Sequence, residues 1–259
     1  MYATERHHRI LEQLDAAGRV SVASLARSLD VTGETIRRDL DLLEGAGVLR
    51  RVHGGAVRAG SGFELGLQER TERNSAAKRA IARAALALVP RTVPASVALD
   101  AGSTTGALAD LLADWSPEGG TTLDVVTNAM PLVLRLQDNR ALAVHAIGGV
   151  VRPTTSAAVG AATVEGFARL RPDLAFVGAN GLSASFGLST PDEREAAVKA
   201  AMVRSARRTI ALVDSSKHGE ESFMRFAELA DIDTLVTDRA PDGDLAAALA
   251  AADVEVVVA

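Results

Sequence analysis

The chain has 259 residues and a formal net charge of −5, and its 47% hydrophobic and 24% charged residues are typical of a globular protein and exclude wholesale disorder. It contains no cysteine, which excludes a disulfide framework, a thiolate zinc site and an iron–sulfur cluster, and its five histidines lack the H-E-x-x-H spacing of a catalytic zinc site. No apolar run approaches the about 18 residues that span a bilayer, and Met1–Ile10 is too charged for a signal peptide, so we expect a soluble cytoplasmic protein with no metal, cofactor or membrane partner.

Charge is distributed unevenly along the chain. Residues 1–58 contain nine Arg and eight Asp or Glu, a net charge of +1. The remaining residues contain 19 basic and 25 acidic side chains, a net charge of −6, and the two values sum to −5. A slightly basic head on an acidic body is a weak indication that only the head contacts nucleic acid.

The head is predicted to contain three short helices. Ile10, Leu11 and Leu14 recur at helical spacing, and Gly18 ends that first helix. Ser21 is a good N-cap for a second helix over residues 22–29. The third helix starts near Gly33 with Thr32 as its cap. The core-facing residues predicted on the second and third helices are Val22, Leu25, Ala26, Leu29, Ile36, Leu40 and Leu43, and the outward-facing residues of the third are Glu34, Arg37, Arg38 and Asp41.

A hairpin is predicted after the third helix. The β-prone runs Val48–His53 and Ala56–Arg58 flank a Gly-Gly turn, and the first of them is basic. Two helices joined by a short turn and followed by such a hairpin form a winged helix-turn-helix, whose second helix fits the major groove of DNA. A small helical subdomain with a solvated arginine pair is the alternative that the pattern alone leaves open.

The predicted DNA contacts follow from this arrangement. Arg37 and Arg38 are placed to reach guanine edges or phosphates, and Thr35 to meet a phosphate or a thymine methyl group. The wing residues would contact the DNA backbone and position the head without reading sequence. The full predicted set is Ser21, Thr32, Thr35, Arg37, Arg38, Arg50, Arg51 and His53.

The head resembles that of a known family. The sequences Val31-Thr-Gly-Glu-Thr-Ile-Arg-Arg-Asp-Leu40 and Arg51-Val-His-Gly-Gly-Ala56, with Leu43-Glu44 and Gly47 between them, are similar to the head of the DeoR family of bacterial transcription regulators. The resemblance implies that residues 1–58 bind double-stranded operator DNA.

The body is predicted to be an α/β domain. Residues 59–74 are predicted to be a linker, in which the Gly-rich run Arg58–Gly62 is followed by a charged, solvated connector over Phe63–Asn74. The predicted effector domain covers residues 75–259 and begins with a helix over Ser75–Leu88. Apolar runs then alternate with helical ones. The predicted strands are Val97–Asp100, Leu123–Thr127, Ala141–Ile147, Leu174–Val177, Thr209–Val213, Thr234–Thr237 and Val254–Val258, and the main helices are Thr104–Leu112, Met130–Gln137, Thr163–Arg169, Asp192–Ala206 and Asp244–Ala251. This alternation predicts a Rossmann-like, mostly parallel sheet covered on both faces, with ligands beyond the carboxyl ends of its strands.

Four loops at predicted strand ends are candidate ligand sites. In the loop 100–105, Gly102 permits a sharp turn. The hydroxyls and amides of Ser103, Thr104 and Thr105 lie at the N-terminus of the helix that follows, where the helix dipole favours an anion. A capped turn without a ligand explains this loop equally well, and it matches neither G-x-G-x-x-G nor a Walker A motif. The pairs Thr127-Asn128 and Gly148-Gly149 are weaker signals. Lys217, one of only three lysines, is either a point charge for a phosphate or a surface residue.

The resemblance to the DeoR family extends over the body. The segments Asp100-x-Gly-Ser-Thr-Thr105, Val126-Thr-Asn128, Gly148-Gly149 with Arg152, Phe176-x-Gly178, Gly181, Gly187-Leu-Ser189, Asp214-Ser-Ser-Lys217 and Thr237-Asp238 occur in family order. This implies a sensor domain related to the folds of ribose-5-phosphate isomerase and glucosamine-6-phosphate deaminase that binds a phosphorylated sugar. The predicted ligand residues are Asp100, Gly102, Ser103, Thr104, Thr105, Thr127, Asn128, Gly148, Gly149, Arg152 and Lys217.

We therefore predict a transcriptional repressor of carbohydrate genes that is not an enzyme and whose operator affinity depends on a sugar phosphate. One short helix and wing contact few base pairs, so we expect a homo-oligomer, a dimer or a tetramer. The first alternative is a sugar-phosphate isomerase or deaminase with an appended head, in which Asp100, Asp214 and Lys217 supply acid–base chemistry. The second is a structural DNA-binding protein whose body binds nothing.

Overall fold

The computed structural model describes residues 3–17, 19–45, 48–52, 54–58, 66–92, 94–118 and 120–259. The chain divides into two compact units, Met1–Glu64 and Leu65–Ala259, and each is treated by itself. No helix in the described ranges has the length and apolar character needed to cross a membrane.

The first unit is a winged helix-turn-helix. Its elements are α1 (Ala3–Ala17), β1 (Arg19–Ser21), α2 (Val22–Leu29), α3 (Gly33–Gly45), β2 (Leu49–Val52) and β3 (Gly55–Arg58). The strands form an antiparallel sheet in the order β1-β3-β2. Strand β1 was not predicted, because three residues are too few to show a period. Its partner strand β3 requires glycine at position 55, because a Cβ there would lie 1.9 Å from the Val20 carbonyl oxygen.

The predicted helix starts and core of this unit are confirmed. The Ser24 amide donates to Ser21 Oγ at 3.0 Å, and the Thr35 amide donates to Thr32 Oγ1 at 3.2 Å. These bonds satisfy amides that a helix N-terminus leaves without intrahelical partners. The helices enclose a core of fully or nearly fully buried side chains, namely Ile10, Leu14, Val22, Leu25, Leu29, Ile36, Leu40, Leu43, Leu49 and Ala56.

A buried carboxylate that the sequence analysis did not single out joins α1 to α3. Asp39 is only 3% exposed, and it accepts hydrogen bonds from Arg6 Nη2 at 2.8 Å and Arg6 Nε at 2.5 Å. His7 Nε2 lies 2.9 Å from the same carboxylate. Burial alone would raise the pKa of Asp39, but the hydrogen bonds and charges of Arg6 and His7 keep it below its usual value.

The second unit is an α/β domain. Its helices are α4 (Leu67–Glu72), α5 (Ser75–Leu86), α6 (Ser103–Leu112), α7 (Met130–Leu136), α8 (Ala161–Ala168), α9 (Glu193–Ser205) and α10 (Gly243–Ala251). Its strands are β4 (Ala95–Leu99), β5 (Leu123–Thr127), β6 (Leu142–Ala146), β7 (Val150–Arg152), β8 (Ala157–Val159), β9 (Leu174–Gly178), β10 (Gly181–Ser183), β11 (Gly187–Thr190), β12 (Arg208–Leu212), β13 (Met224–Ala227), β14 (Thr234–Thr237) and β15 (Glu255–Val258).

The predicted parallel sheet is confirmed within the described part of this unit. Seven strands lie in the order β15-β14-β12-β9-β4-β5-β6, and every neighbouring pair is parallel. Helices α5, α6 and α7 cover one face, with Ile81 and Leu108 in its core. Helices α8, α9 and α10 cover the other, with Phe167 and Met202 in its core. Burial on both faces explains why the strands read as continuous apolar runs.

Short antiparallel strands are the elements that the sequence analysis missed. Strands β7 and β8 form a hairpin, and β10, β11 and β13 form a separate three-stranded sheet. These strands are three or four residues long, so they give no measurable alternation.

The described part of the predicted connector over Phe63–Asn74 is helical, and none of its residues is buried. Residues 67–72 form α4, and the Leu67 amide donates to the Thr154 carbonyl at 3.0 Å. Lys78, which is 7% exposed, donates through Nζ to the carbonyls of Arg70 and Arg73, the latter at 2.8 Å. These bonds fix the carboxyl end of α4 to α5. The charges in the segment therefore coexist with a docked helix.

We expect Asp39→Asn to destabilise the head at pH 7 by about 1–3 kcal/mol, because the substitution leaves Arg6 and His7 without their anion. A pKa lowered by folding contributes stability above the unfolded pKa of about 3.9, and this contribution is lost as the pH falls through the lower folded pKa. The difference from wild type should therefore shrink below about pH 4. Hydrogen exchange of the α1 and α3 amides in the full chain measures both effects.

Glu5→Gln is the matched control, since Glu5 forms an ion pair with Arg9 that is about half exposed. Such pairs contribute about 0–1 kcal/mol. Equal effects of the two substitutions would show that Asp39 does not link the helices.

Candidate DNA-binding and effector sites

The outward face of α3 carries the predicted DNA contacts. Glu34, Arg37, Arg38 and Asp41 are all exposed, as the helical period predicts. Arg37 Nη1 lies 3.1 Å from Glu34 Oε2 one turn earlier, an exposed pair that a phosphate can readily replace. The face thus presents two guanidinium groups on a helix anchored by its buried side.

The wing strand is braced against α3 by Arg51. Its Nη1 donates to the Arg37 carbonyl at 2.9 Å and forms an ion pair with Asp41. Its backbone amide donates to Glu44 Oε1 at 2.7 Å. These contacts brace the wing against α3, and the predicted contact of Arg51 with the DNA backbone stays a prediction.

The remaining predicted DNA residues fall into two groups. Ser21 and Thr32 use their hydroxyls as helix caps, and Thr35 Oγ1 lies 2.9 Å from Thr32 Oγ1. These hydroxyls cap the helices of the helix-turn-helix, and their predicted contacts with DNA stay predictions. The side chain of Arg50 and the whole of His53 lie outside the described residues.

In the second unit, the strand order decides which predicted ligand loops are neighbours. Strands β4, β5 and β6 are adjacent, so the loops that follow them, at residues 100–105, 127–128 and 148–149, share one sheet edge. The loop after β12, which holds Lys217, is separated from β4 by β9. The strand order therefore makes three of the four loops neighbours and places the fourth, after β12, two strands away from β4.

Asp100 lies beneath this edge and is enclosed by protein. It is 1% exposed, forms an ion pair with Lys199 of α9, and accepts bonds from the Gly102 and Gly178 amides, both at 2.8 Å, and from Thr105 Oγ1 at 2.5 Å. Burial alone would raise the pKa of Asp100, but Lys199 and the hydrogen bonds from Thr105 and Gly102 keep it low. Asp100 therefore shapes the loop, in contrast to the predicted ligand contact and to the acid–base role of the enzyme alternative.

The loop above Asp100 leaves only part of its polar surface accessible. Thr105 is fully buried, and its hydroxyl oxygen also lies 2.8 Å from the Gly102 carbonyl oxygen, while Thr104 is 7% exposed. The first turn of α6 closes with the Gly106 amide on the Gly102 carbonyl at 2.9 Å. Amides before that bond have no intrahelical partner. Gly102 and the half-buried Ser103 line a cavity of about 160 Å³ together with Lys78, Arg79 and Arg135.

The loops after β5 and β6 are largely committed to the fold. Thr127 Oγ1 accepts from the Ala129 amide at 3.1 Å, and Asn128 Nδ2 donates to the Ala158 carbonyl at 2.7 Å. Asn128 Oδ1, however, is buried without a hydrogen-bond partner among the described residues. An unsatisfied buried carbonyl oxygen is costly, so it marks a position where a donor from outside the chain would be stabilising.

Gly148, Gly149 and Arg152 have structural contacts of their own. Thr163 Oγ1 donates to the Gly148 carbonyl at 2.9 Å, and a Cβ on Gly149 would lie 2.1 Å from the same hydroxyl oxygen. Arg152 Nε donates to Asp192 Oδ2 at 3.0 Å and Nη1 to Glu195 Oε1 at 3.2 Å. The predicted ligand residue Arg152 therefore ties the β7–β8 hairpin to the start of α9.

Lys217 lies in a second polar cluster. It ends a 3₁₀ turn, Ser215–Lys217, that follows the 4% exposed Asp214. Asn74 Nδ2 donates to Asp214 Oδ1 at 2.9 Å and to Ser216 Oγ at 3.1 Å. Lys217 itself is half-buried.

Lys78 connects this cluster to the cavity, and the sequence analysis did not assign it a role. Its pKa is lowered to about 8, chiefly by burial; Asp214 opposes the shift and the positive charge of Lys217 adds to it. The sequence contains a signal for it. Lys78 has the helical spacing of the buried Ile81, Ala82 and Ala85, so a lysine occupies the core face of α5.

The sequence resembles known proteins over its whole length. Residues 73–239 match the profile described as the DeoR C terminal sensor domain, and residues 6–61 match that of the DeoR-like helix-turn-helix domain. The HTH-type transcriptional regulator GlpR of Haloferax volcanii is 39% identical over 99% of this chain and 98% of its own length. The glycerol-3-phosphate regulon repressor of Haemophilus influenzae is 32% identical over 92% of this chain and 90% of its own.

Solved structures show a more distant likeness. Ribose 5-phosphate isomerase A of Methanocaldococcus jannaschii aligns with 56% of this chain and 55% of its own, at 18% identity and a TM-score of 0.39. The translation initiation factor eIF-2B of Pyrococcus horikoshii aligns with 85% of this chain and 68% of its own, at 14% identity and the same TM-score of 0.39.

We expect Lys199→Met to lower the free energy of unfolding of the second unit by about 3–5 kcal/mol, because Asp100 is then buried without its cation. Asp100→Asn in the same chain should recover much of the loss, since it removes the uncompensated charge. Urea unfolding followed by the fluorescence of Trp115, which lies in this unit, measures both.

The control is Glu118→Gln, which removes an exposed ion pair with Arg91 and should change the stability by less than about 1 kcal/mol. A Lys199→Met protein as stable as this control would contradict the role given to the buried pair.

Proposed function

Because the chain belongs to the DeoR family of DNA-binding transcriptional regulators, we propose that it represses genes of carbohydrate metabolism and that a phosphorylated sugar sets its affinity for the operator. Its relatives are regulators and not enzymes. Of the three residues named for an isomerase or deaminase, Asp100 is enclosed by protein groups. The proposed site of action is the cytoplasm, where DNA and phosphorylated sugars are both present.

The proposed DNA contacts are Arg37 and Arg38 from α3 in the major groove, with the wing beside the neighbouring phosphates. Support comes from the exposure of both arginines on a helix whose other face is buried. One such head contacts too few base pairs for a specific site, so we propose a dimer or tetramer bound to a two-fold operator.

The proposed effector is a phosphorylated sugar, and one observation carries the proposal. Lys78 lines the same cavity as Gly102 and Ser103 at the start of α6, and it lies close enough to Lys217 for that charge to lower its pKa. Two cations and a helix N-terminus at one sheet edge are favourable to a phosphate group.

Names of relatives point to the same ligand class. One relative is a glycerol-3-phosphate regulon repressor, and another, from Streptococcus mutans, is a lactose phosphotransferase system repressor that is 31% identical over 95% of this chain. Both names concern phosphorylated carbohydrates or their uptake. We propose the phosphate as the shared recognition element and the sugar part as the variable one.

We expect Arg38→Ala to weaken operator binding by about 1–3 kcal/mol per head, roughly 5–150-fold, because a groove contact is lost. Fluorescence anisotropy with a duplex selected by the wild-type protein measures this loss. Arg9→Ala, which removes an exposed arginine of α1, is the control and should bind within about twofold of wild type. Wild-type affinity in the Arg38→Ala protein would refute the assignment of α3.

We expect phosphorylated sugars, and not the free sugars, to raise the unfolding temperature of the wild-type protein. Ligand at 100 times its dissociation constant adds about 2.7 kcal/mol of stability. Lys217→Ala should lose this shift yet still bind operator DNA, because its substitution leaves the head intact. Arg207→Ala, which removes an exposed cation elsewhere on this unit, should respond as wild type does. A normal response from Lys217→Ala would remove that lysine from the site.

A further inference from the structure

Helix α4 forms part of the wall of the cavity that holds the proposed effector site. Leu67 and Thr71 of α4 line this cavity of about 160 Å³ together with Gly102 and Ser103 at the start of α6. None of the residues of α4 is buried, and helices shorter than about 12 residues are marginal by themselves in water. The position of α4 therefore depends on the groups outside the helix that bind it.

Both ends of α4 are bound by groups from outside the helix. At its start, the Leu67 amide donates to the Thr154 carbonyl at 3.0 Å. At its end, Lys78 Nζ donates to the carbonyls of Arg70 and Arg73, the latter at 2.8 Å. Carbonyls at the end of a helix have no intrahelical donor, and a cation there is favourable because it meets the negative end of the helix dipole. Lys78 therefore holds the carboxyl end of α4.

Lys78 is also a lining residue of the cavity, so it can bind either α4 or a ligand. Burial lowers the pKa of Lys78 to about 8 although Asp214 opposes the shift, which indicates that the positive charge is incompletely compensated. Hydrogen bonds from an ammonium group to a charged phosphate oxygen are stronger than those to a neutral carbonyl oxygen. A phosphate group in the cavity would therefore compete with the two α4 carbonyls for Lys78.

Asn74 joins α4 to α5 and supplies a fixed point about which α4 can turn. Its backbone lies in the left-handed region, at a φ of 53°, which asparagine adopts more readily than most residues. Its side chain donates to Asp214 Oδ1 at 2.9 Å and to Ser216 Oγ at 3.1 Å. These bonds do not involve the Lys78 ammonium group, so Asn74 remains attached when Lys78 leaves α4.

We propose that a phosphate group in this cavity withdraws Lys78 from the Arg70 and Arg73 carbonyls and thereby releases α4 from the sheet domain. The proposal rests on the proposed function and names the regulatory step at that same site. Residues 66–73 then join the connection between the sheet domain and the head unit, which ends at Glu64 in chain order. A longer connection lowers the effective concentration of a second head at its half-site, so the effector weakens operator binding.

Hydrogen exchange of residues 66–73 in the full-length protein tests this step, with inorganic phosphate compared against sodium chloride at equal ionic strength. In the wild type, phosphate should speed the exchange of these amides at least about fivefold, because a released helix of this length unfolds. Phosphate as a salt stabilises compact proteins in general, so its non-specific effect has the opposite sign.

Two variants of α5 separate the role of Lys78 from that of any other cation. Lys78→Met removes the ammonium group and keeps an apolar side chain on the buried face of α5. Its α4 amides should exchange rapidly without phosphate and show no further response. Arg83→Met, which removes an exposed cation from the same helix, is the matched control and should behave as the wild type does. Wild-type exchange of α4 in the Lys78→Met protein would overturn the proposal.

A thiol probe gives a second readout in a chain that retains Lys78. Because the protein has no cysteine, Leu67→Cys introduces a single thiol in the cavity wall. Phosphate should speed its reaction with a maleimide at least about fivefold, while a Val258→Cys thiol on the exposed part of β15 should react at an unchanged rate. Slower labelling with phosphate would mean that α4 closes over the anion, and this result, or no change in labelling and exchange, would overturn the proposal. The thermal shift by phosphorylated sugars tests the effector site separately, so the two failures are distinguishable.

Discussion

A buried negative charge beneath the sheet edge constrains the whole effector unit. Asp100 must keep its cation and its amide donors, because an uncompensated carboxylate in this environment costs several kcal/mol. Meeting that requirement brings together β4, the end of β9 through Gly178, and α9 through Lys199. Helix α9 on one face of the sheet and the loops at the carboxyl ends of β4 and β9 are thereby fixed relative to each other. These contacts also fix the position of the α6 N-terminus, whose first amides have no intrahelical hydrogen-bond partner.

The head also contains a buried carboxylate that links separate elements. Asp39 lies on α3 and binds Arg6 and His7 of α1, so a single buried acid links the two helices. Arg51 then links the wing to the exposed side of α3 through Asp41 and the Arg37 carbonyl. Charged side chains that a sequence pattern places on the surface thus fix the shape of the DNA-binding face.

Helix α4, which lies within the predicted linker, is attached to the loops of the candidate effector site. Helix α4 begins with a bond from Leu67 to Thr154 in the β7–β8 turn, and its end is bound by Lys78. Asn74, immediately beyond it, binds Asp214 and Ser216 beside Lys217. Movement of either loop therefore changes the surroundings of α4. Two of the predicted ligand residues, Thr105 and Arg152, make hydrogen bonds within this scaffold.

Local patterns in the sequence predict the three helices and the wing of the head, the seven strands of the parallel sheet and the polar loops at strand ends, because helical period, capping residues and apolar runs are local properties. The sequence could not determine that Asp100 is enclosed while Ser103 faces a cavity, or that Lys78 lies near Lys217. Those outcomes depend on the strand order β12-β9-β4-β5-β6 and on which helix covers which face. Contacts between residues as far apart as Asp100 and Lys199 arise only when the sheet forms, and no spacing along the chain encodes them.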